Sequence, residues 1–377
     1  MEELNHCHGQ TCSHAIMAEA KLQKELTTYL NYSLPLCVIL SNPGKVPWFY
    51  SHYTQLYSMN SGPDDEYLWI DYLEETDHTD EVLESISFDY DDIKDNPDII
   101  SFIKEKIGNG FSVMLFLDEF CLPGRRGFTY YHHPLQTFFY GYDDEEEVLM
   151  SIGFMKNLEF GYLIQSYEDV RLAYSKLAEK IGENSFPIWV KKYTAVSLKI
   201  KNPDKEYKFD QKKFIKSLND YILSIGDSSQ LRSDIKVERG DNATYGINTH
   251  DDVVRRLISL LEGKHLIDYR AIHILTEHKE MLHKKLCYCA SKFQCESILN
   301  EKIAEYASIA KKFKVLAAAY KRHAFLDNER RTLYGPLKNK AFITKAINTI
   351  VSEKEHEKKV LTDIYGYLEN RLRLSAD

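Results

Sequence analysis

Proline nearly disappears from the second half of this 377-residue chain: Pro336 is the only one after Pro203. A long proline-free stretch excludes a turn-rich sandwich there and favours long helices. Long apolar runs are missing too. No segment approaches the roughly 20 apolar residues that a membrane helix needs, so no membrane partner is expected. Cysteine is scarce and odd in number, seven in all, which excludes a disulfide scaffold. The N-terminus lacks the basic start and apolar run of a signal peptide, so a reducing cytoplasm and free thiols are expected. There is no Walker loop, no Gly-x-Gly-x-x-Gly and no His-Glu-x-x-His, which leaves nucleotide hydrolysis and zinc peptidase chemistry without support. No cofactor and no metal is expected.

Two cysteine clusters carry residue types that can ligate a metal. His6, Cys7, His8, Cys12 and His14 are dense enough for zinc but lack a paired Cys-x-x-Cys, so a frayed terminus is the simpler reading. Cys287, Cys289 and Cys295 fall on a helical segment, where Cys287 and Cys289 point apart.

Charge divides the chain. Residues 1–190 hold 12 Lys and Arg against 32 Asp and Glu, and residues 191–377 hold 36 against 25. These balances, −20 and +11, return the net −9. An acidic half followed by a basic half suggests either mutual attraction or a basic surface kept for an acidic partner. No dense Lys/Arg run or recognition signature accompanies it, so nucleic acid is not expected. The charges of the basic half mostly alternate in sign, which reads as solvated helix faces.

The pattern predicts strands at 111–117, 137–142, 147–154 and 188–200, the middle two forming a hairpin around Asp143–Glu146. Ser166 with Glu168 and Asp169 reads as the start of a helix reaching about Ile181. After about Asn202, helical spacing recurs in 211–224, 251–262, 268–325 and 339–373. The fold class is therefore α+β, an N-terminal mixed domain followed by an all-α domain.

Several segments resemble a known family. Phe138 to Glu145 (Phe-Phe-Tyr-Gly-Tyr-Asp-Asp-Glu) and Ile164 to Tyr174 resemble the papain-like domain of the butirosin biosynthesis protein H family, akin to bacteriocin-leader cysteine peptidases. Asp118 to Arg126 and Pro47 to Tyr50 look like members found beside nonribosomal peptide or polyketide clusters. Tyr245 to Ile247 and Ile267 to Lys279 resemble the family's helical part. The resemblance spans roughly 28–325. It implies a papain-like cysteine-peptidase-type domain over 28–203, a helical domain over 204–377, and a short extension over 1–27.

The resemblance also implies acyl transfer from a carrier-protein thioester to an amine. A cysteine at the start of the first domain helix takes the acyl group, a histidine at the start of the hairpin strand is the base, and an acid on the next strand orients it. This sequence departs at each position. The nucleophile's place falls on Tyr32 or Ser33, the histidine's on Leu135 and the acid's near Ser151 to Gly153. Cys37, His133 and Asp143 form a displaced constellation, but a residue one turn deeper lies some 5 Å along the helix. The expectation is a degenerate triad, with Asp118, Glu119, Arg125, Tyr131 and His132 bordering a cleft that binds an acyl or peptidyl chain or its carrier protein. The function expected is that of an accessory protein of a thiotemplated pathway. The alternative is an active cysteine-dependent acyltransferase or thioesterase. A third reading has the basic helical half docking an acidic partner, and a homodimer is left open.

Overall fold

The computed structural model describes residues 14–59, 68–74, 78–96, 98–231, 242–264, 268–326 and 339–374. In chain order, the first elements are β1 (Ile16–Met17), α1 (Leu30–Ile39), α2 (Val46–Ser51), β2 (Leu56–Met59), β3 (Trp69–Tyr72), β4 (Leu83–Phe88), α3 (Tyr90–Ile93) and α4 (Ile99–Gly108). Then come β5 (Ser112–Asp118), β6 (Pro134–Asp143), β7 (Val148–Phe154), β8 (Phe160–Ser166), α5 (Tyr167–Gly182), α6 (Ile188–Lys192) and β9 (Ala195–Ile200). The remainder is α7 (Gln211–Leu223), β10 (Ala243–Tyr245), α8 (Thr249–Leu261), α9 (Arg270–Lys292), α10 (Glu296–Leu326) and α11 (Lys340–Leu374). No helix among the described residues is long and apolar enough to cross a membrane.

The architecture is mixed, with antiparallel sheets and a helical C-terminal region. It divides into two compact units: residues 1–46 with 79–206, and residues 47–78 with 207–377. The first unit is built on one antiparallel sheet of order β4-β9-β5-β6-β7-β8, with β1 added to the far end of β6. Its apolar cluster joins Val113, Leu115 and Leu117 of β5 and Phe139 of β6 to Ile103 of α4 and to Val170 and Ala173 of α5. Local chemistry sets the element ends. Asp143 Oδ1 accepts the Glu145 and Glu146 amides at 2.9 and 3.3 Å and so closes the β6–β7 turn. Ser166 caps α5 by accepting the Asp169 amide at 3.0 Å.

Three expectations need correction. The strand read over 188–200 begins only at Ala195; Ile188–Lys192 is a short helix. Pro187, at φ −58°, stands at its N-cap, and Thr194 Oγ1 bonds the Val190 carbonyl at 2.9 Å to end it. The second unit is not all helix, because β2 pairs with both β3 and β10 in a three-stranded antiparallel sheet. For the same reason 28–203 is not one domain: residues 47–78 are built into the helical unit through that sheet.

Charge divides differently between the two units. Residues 47–78 carry seven acidic groups and no Lys or Arg. Assigned to their structural unit, they leave the first unit with 17 basic against 27 acidic residues and the second with 31 against 30. By count, the second unit is therefore nearly neutral overall.

Candidate functional site

The last residue of β5 is Asp118, and the chain returns to the sheet at Pro134, its partner on β6. Between them the loop 119–133 folds back over the strand end. Asp118 is wholly buried and organises the return. Its Oδ1 accepts the Phe120 and His133 amides at 3.1 and 3.2 Å. Its Oδ2 meets His132 Nδ1 at 2.5 Å. The His133 carbonyl in turn accepts the Glu119 amide at 2.9 Å. His132 stacks on Phe120 at 4.5 Å and 25° between planes, yet its side chain stays 38% exposed. A buried carboxylate that accepts from Nδ1–H directs the lone pair of a neutral imidazole to Nε2. No described residue offers that nitrogen a hydrogen bond.

The rest of the loop is held by buried charge. Glu119 Oε1 accepts the Arg126 amide at 3.0 Å. Arg125 is buried, donating from Nη1 to the Phe154 carbonyl at 2.9 Å and from Nη2 toward Thr137 Oγ1 at 3.5 Å. Burial lowers the Arg125 guanidinium to about 10, against the pull of Glu119. Desolvation also pulls the His133 imidazole down, against Glu119 and Asp118. The Tyr131 phenol is raised by burial and then by Glu119. Tyr131 lies edge-on to His133 at 6.3 Å, and Tyr130 beside it is 70% exposed.

All five residues expected to bind substrate, Asp118, Glu119, Arg125, Tyr131 and His132, therefore gather in one loop. The expected catalytic trio does not gather. His133 precedes β6 and Asp143 ends it; ten residues of strand separate them by about 30 Å. Asp143 is spent on turn amides. Cys37 is sealed inside α1, where its Sγ donates to the Ser33 carbonyl at 3.3 Å. Burial pushes its thiol up to about 12, so the thiolate needed for attack is not formed near neutral pH. The family-spaced positions offer no replacement. Ser33 Oγ is buried without a hydrogen-bond partner, and Leu135 is an aliphatic side chain opposite Leu117. At Gly153 a Cβ would lie 2.3 Å from Arg125 Nη1, so the guanidinium occupies the space over that strand. Among the described residues no group of three His, Cys, Asp or Glu could hold a metal ion. His6, Cys7, His8 and Cys12 lie outside the described residues. Cys287 is exposed, whereas Cys289 and Cys295 are buried.

A second cluster, in the helical unit, was not anticipated. Glu357 of α11 and Lys279 of α9 pair at 2.9 Å with both side chains fully buried. Glu357 Oε1 also accepts from the Tyr221 and Tyr306 hydroxyls at 3.2 and 3.1 Å. His278 donates from Nε2 to the Thr54 carbonyl at 2.8 Å, which leaves Nδ1 to face Lys279 Nζ at 3.4 Å. His250 Nε2 stands 3.4 Å from Glu357 Oε2. Burial opposes the Glu357 charge, but Lys279 and His250 carry its carboxyl down to about 2. Burial and then Lys279 push the His278 imidazole well down, and the same two causes lower His250. Lys285 is also buried, donating to the His52 carbonyl and, at 3.1 Å, to Thr54 Oγ1. Burial lowers its amine to about 7. The alternating charges of this region are thus not all solvated. The available signal was positional: His278 and Lys285 fall on the apolar stripe of Ile274, Leu275, Met281, Leu282, Leu286 and Cys289.

No protein-family model matches the chain, and no curated protein matches it.

Proposed function

We propose that this chain binds an acyl or peptidyl chain, or the carrier protein bearing it, at the loop between Asp118 and Pro134. On this reading it is a cytoplasmic accessory protein of a nonribosomal peptide or polyketide pathway, on a papain-like scaffold that has lost its covalent machinery. One contrast carries the reading: Cys37, His133 and Asp143 lie apart, while Asp118, Glu119, Arg125, Tyr131 and His132 share one loop with an exposed imidazole and aromatic rim. Such a mixture of aromatic surface and a few fixed polar groups suits an extended, partly apolar chain. The alternative, an active cysteine-dependent acyltransferase or thioesterase, requires a Cys37 thiolate that burial opposes.

The test is a fluorescence-anisotropy titration of a labelled, acyl-loaded phosphopantetheinyl carrier protein with the full chain. Saturable binding, weakened at least about tenfold by Tyr131→Ala, is expected. No binding, or binding indifferent to loop substitutions, contradicts the reading.

A further inference from the structure

We propose that the Asp118–His132 pair is a proton-transfer centre, with His132 Nε2 acting as general base in direct, non-covalent cleavage of a thioester. This rests on the reading above, in that the acyl chain is taken to lie over the loop. Three features of the geometry support it. The carboxylate is fixed before any substrate arrives, by two backbone amides on Oδ1. The imidazole is fixed in turn, by Asp118 Oδ2 on Nδ1 and by Phe120 on its face. The remaining nitrogen has no hydrogen-bond partner among the described residues, on a side chain that is 38% exposed. An oriented imidazole with one nitrogen on a buried carboxylate and the other open is what proton abstraction requires. A hydrogen-bonded anchor for the loop needs only the first half of that arrangement.

The step needs no thiol from the protein. His132 Nε2 takes a proton from water or a primary amine as its oxygen or nitrogen bonds to the thioester carbonyl carbon. The tetrahedral intermediate then breaks its C–S bond, and the departing sulfur takes the proton back from Nε2. The products are the acid or amide and the free thiol, with no oxidant or cofactor consumed. Asp118 is a positioning residue in this scheme. The other titratable groups around the dyad are Glu119 and His133 from the loop, Cys121 from the turn after β5, and Lys180 from α5.

The probe is an acyl-pantetheine thioester, with thiol release followed colorimetrically in water and with an added primary amine. His132→Asn is the informative variant, because its amide N–H can still donate to Asp118 while no basic nitrogen remains. The expected result is at least a 100-fold loss of rate, with the melting temperature retained. Wild-type turnover should rise with pH as one group loses its proton, and the variant's should not. A second variant, His132→Ala, should regain turnover when free imidazole is added, which a merely structural role would not produce. Wild-type thiol release no faster than that of His132→Asn at any pH, with carrier binding intact, overturns the proton-transfer role and leaves the binding reading standing. Loss of carrier binding in the wild-type protein itself overturns the binding reading instead.

Discussion

Two regions of this molecule set a carboxylate against an imidazole, and they differ in access to water. In the first unit Asp118 is buried but its partner His132 opens to solvent. In the second, Glu357, Lys279, His250 and His278 are all sealed from it. A buried ion pair has already lost its hydration, so every partner is needed to offset that loss. An exposed imidazole on a buried acid keeps one nitrogen free to exchange protons. Similar side chains thus make a structural clamp in one place and a reactive candidate in the other.

The comparison breaks most decisively at Glu357. Its replacement by alanine leaves Lys279 buried without an anion and should cost about 3–5 kcal/mol in urea unfolding. His132→Asn, on the exposed side, should change stability by no more than about 0.5 kcal/mol. Equal losses from the two would erase the distinction.

Titration sharpens it. Lys285 ordinarily holds its proton to 10.5 but in the folded chain only to about 7. Between those values the unfolded chain binds more protons, so folding stability should rise with pH, by up to about 1.4 kcal/mol per unit. Lys285→Met should remove that slope in denaturation curves taken from pH 7 to 10. On the acid side, His250 and His278 are held below their ordinary 6.5. The unfolded histidines take protons first, so stability should fall as pH drops below about 6.5. It should fall again between 4.5 and about 2, where the unfolded Glu357 carboxyl takes its proton before the folded one.

Smaller effects probe the loop. Gly153→Ala should force the pinned Arg125 guanidinium aside and cost about 1–3 kcal/mol. Carrier binding should weaken with it. Timed alkylation followed by peptide mass spectrometry should modify exposed Cys287 long before Cys37.

Much of the secondary structure was legible. Ser166 with its acidic first turn, the Asp143–Glu146 turn and the four helical stretches after Asn202 are local signals, and local chemistry decides them. The membership of residues 47–78 was not legible, because it depends on the pairing of β2 with β10, some 185 residues away. Arg125 reads in the sequence as a cleft residue; only the close approach of Gly153 and the Phe154 carbonyl show why it is buried. The loop cluster was visible as a run of polar and aromatic types between two strands. That His132 rather than His133 takes the Asp118 carboxylate depends on the loop's return path, which no periodicity encodes. His278 and Lys285 did lie on an apolar stripe, but alternating charge along the same helix masked them.

On the proposed function, Cys37 carries no acyl group although the loop after β5 binds the acyl chain or its carrier. Intact-mass spectrometry of the full chain after incubation with acyl-loaded carrier protein tests it directly. No acyl adduct on Cys37 is expected under conditions where carrier binding is saturated. A stable acyl adduct on Cys37, lost in Cys37→Ala, would contradict it.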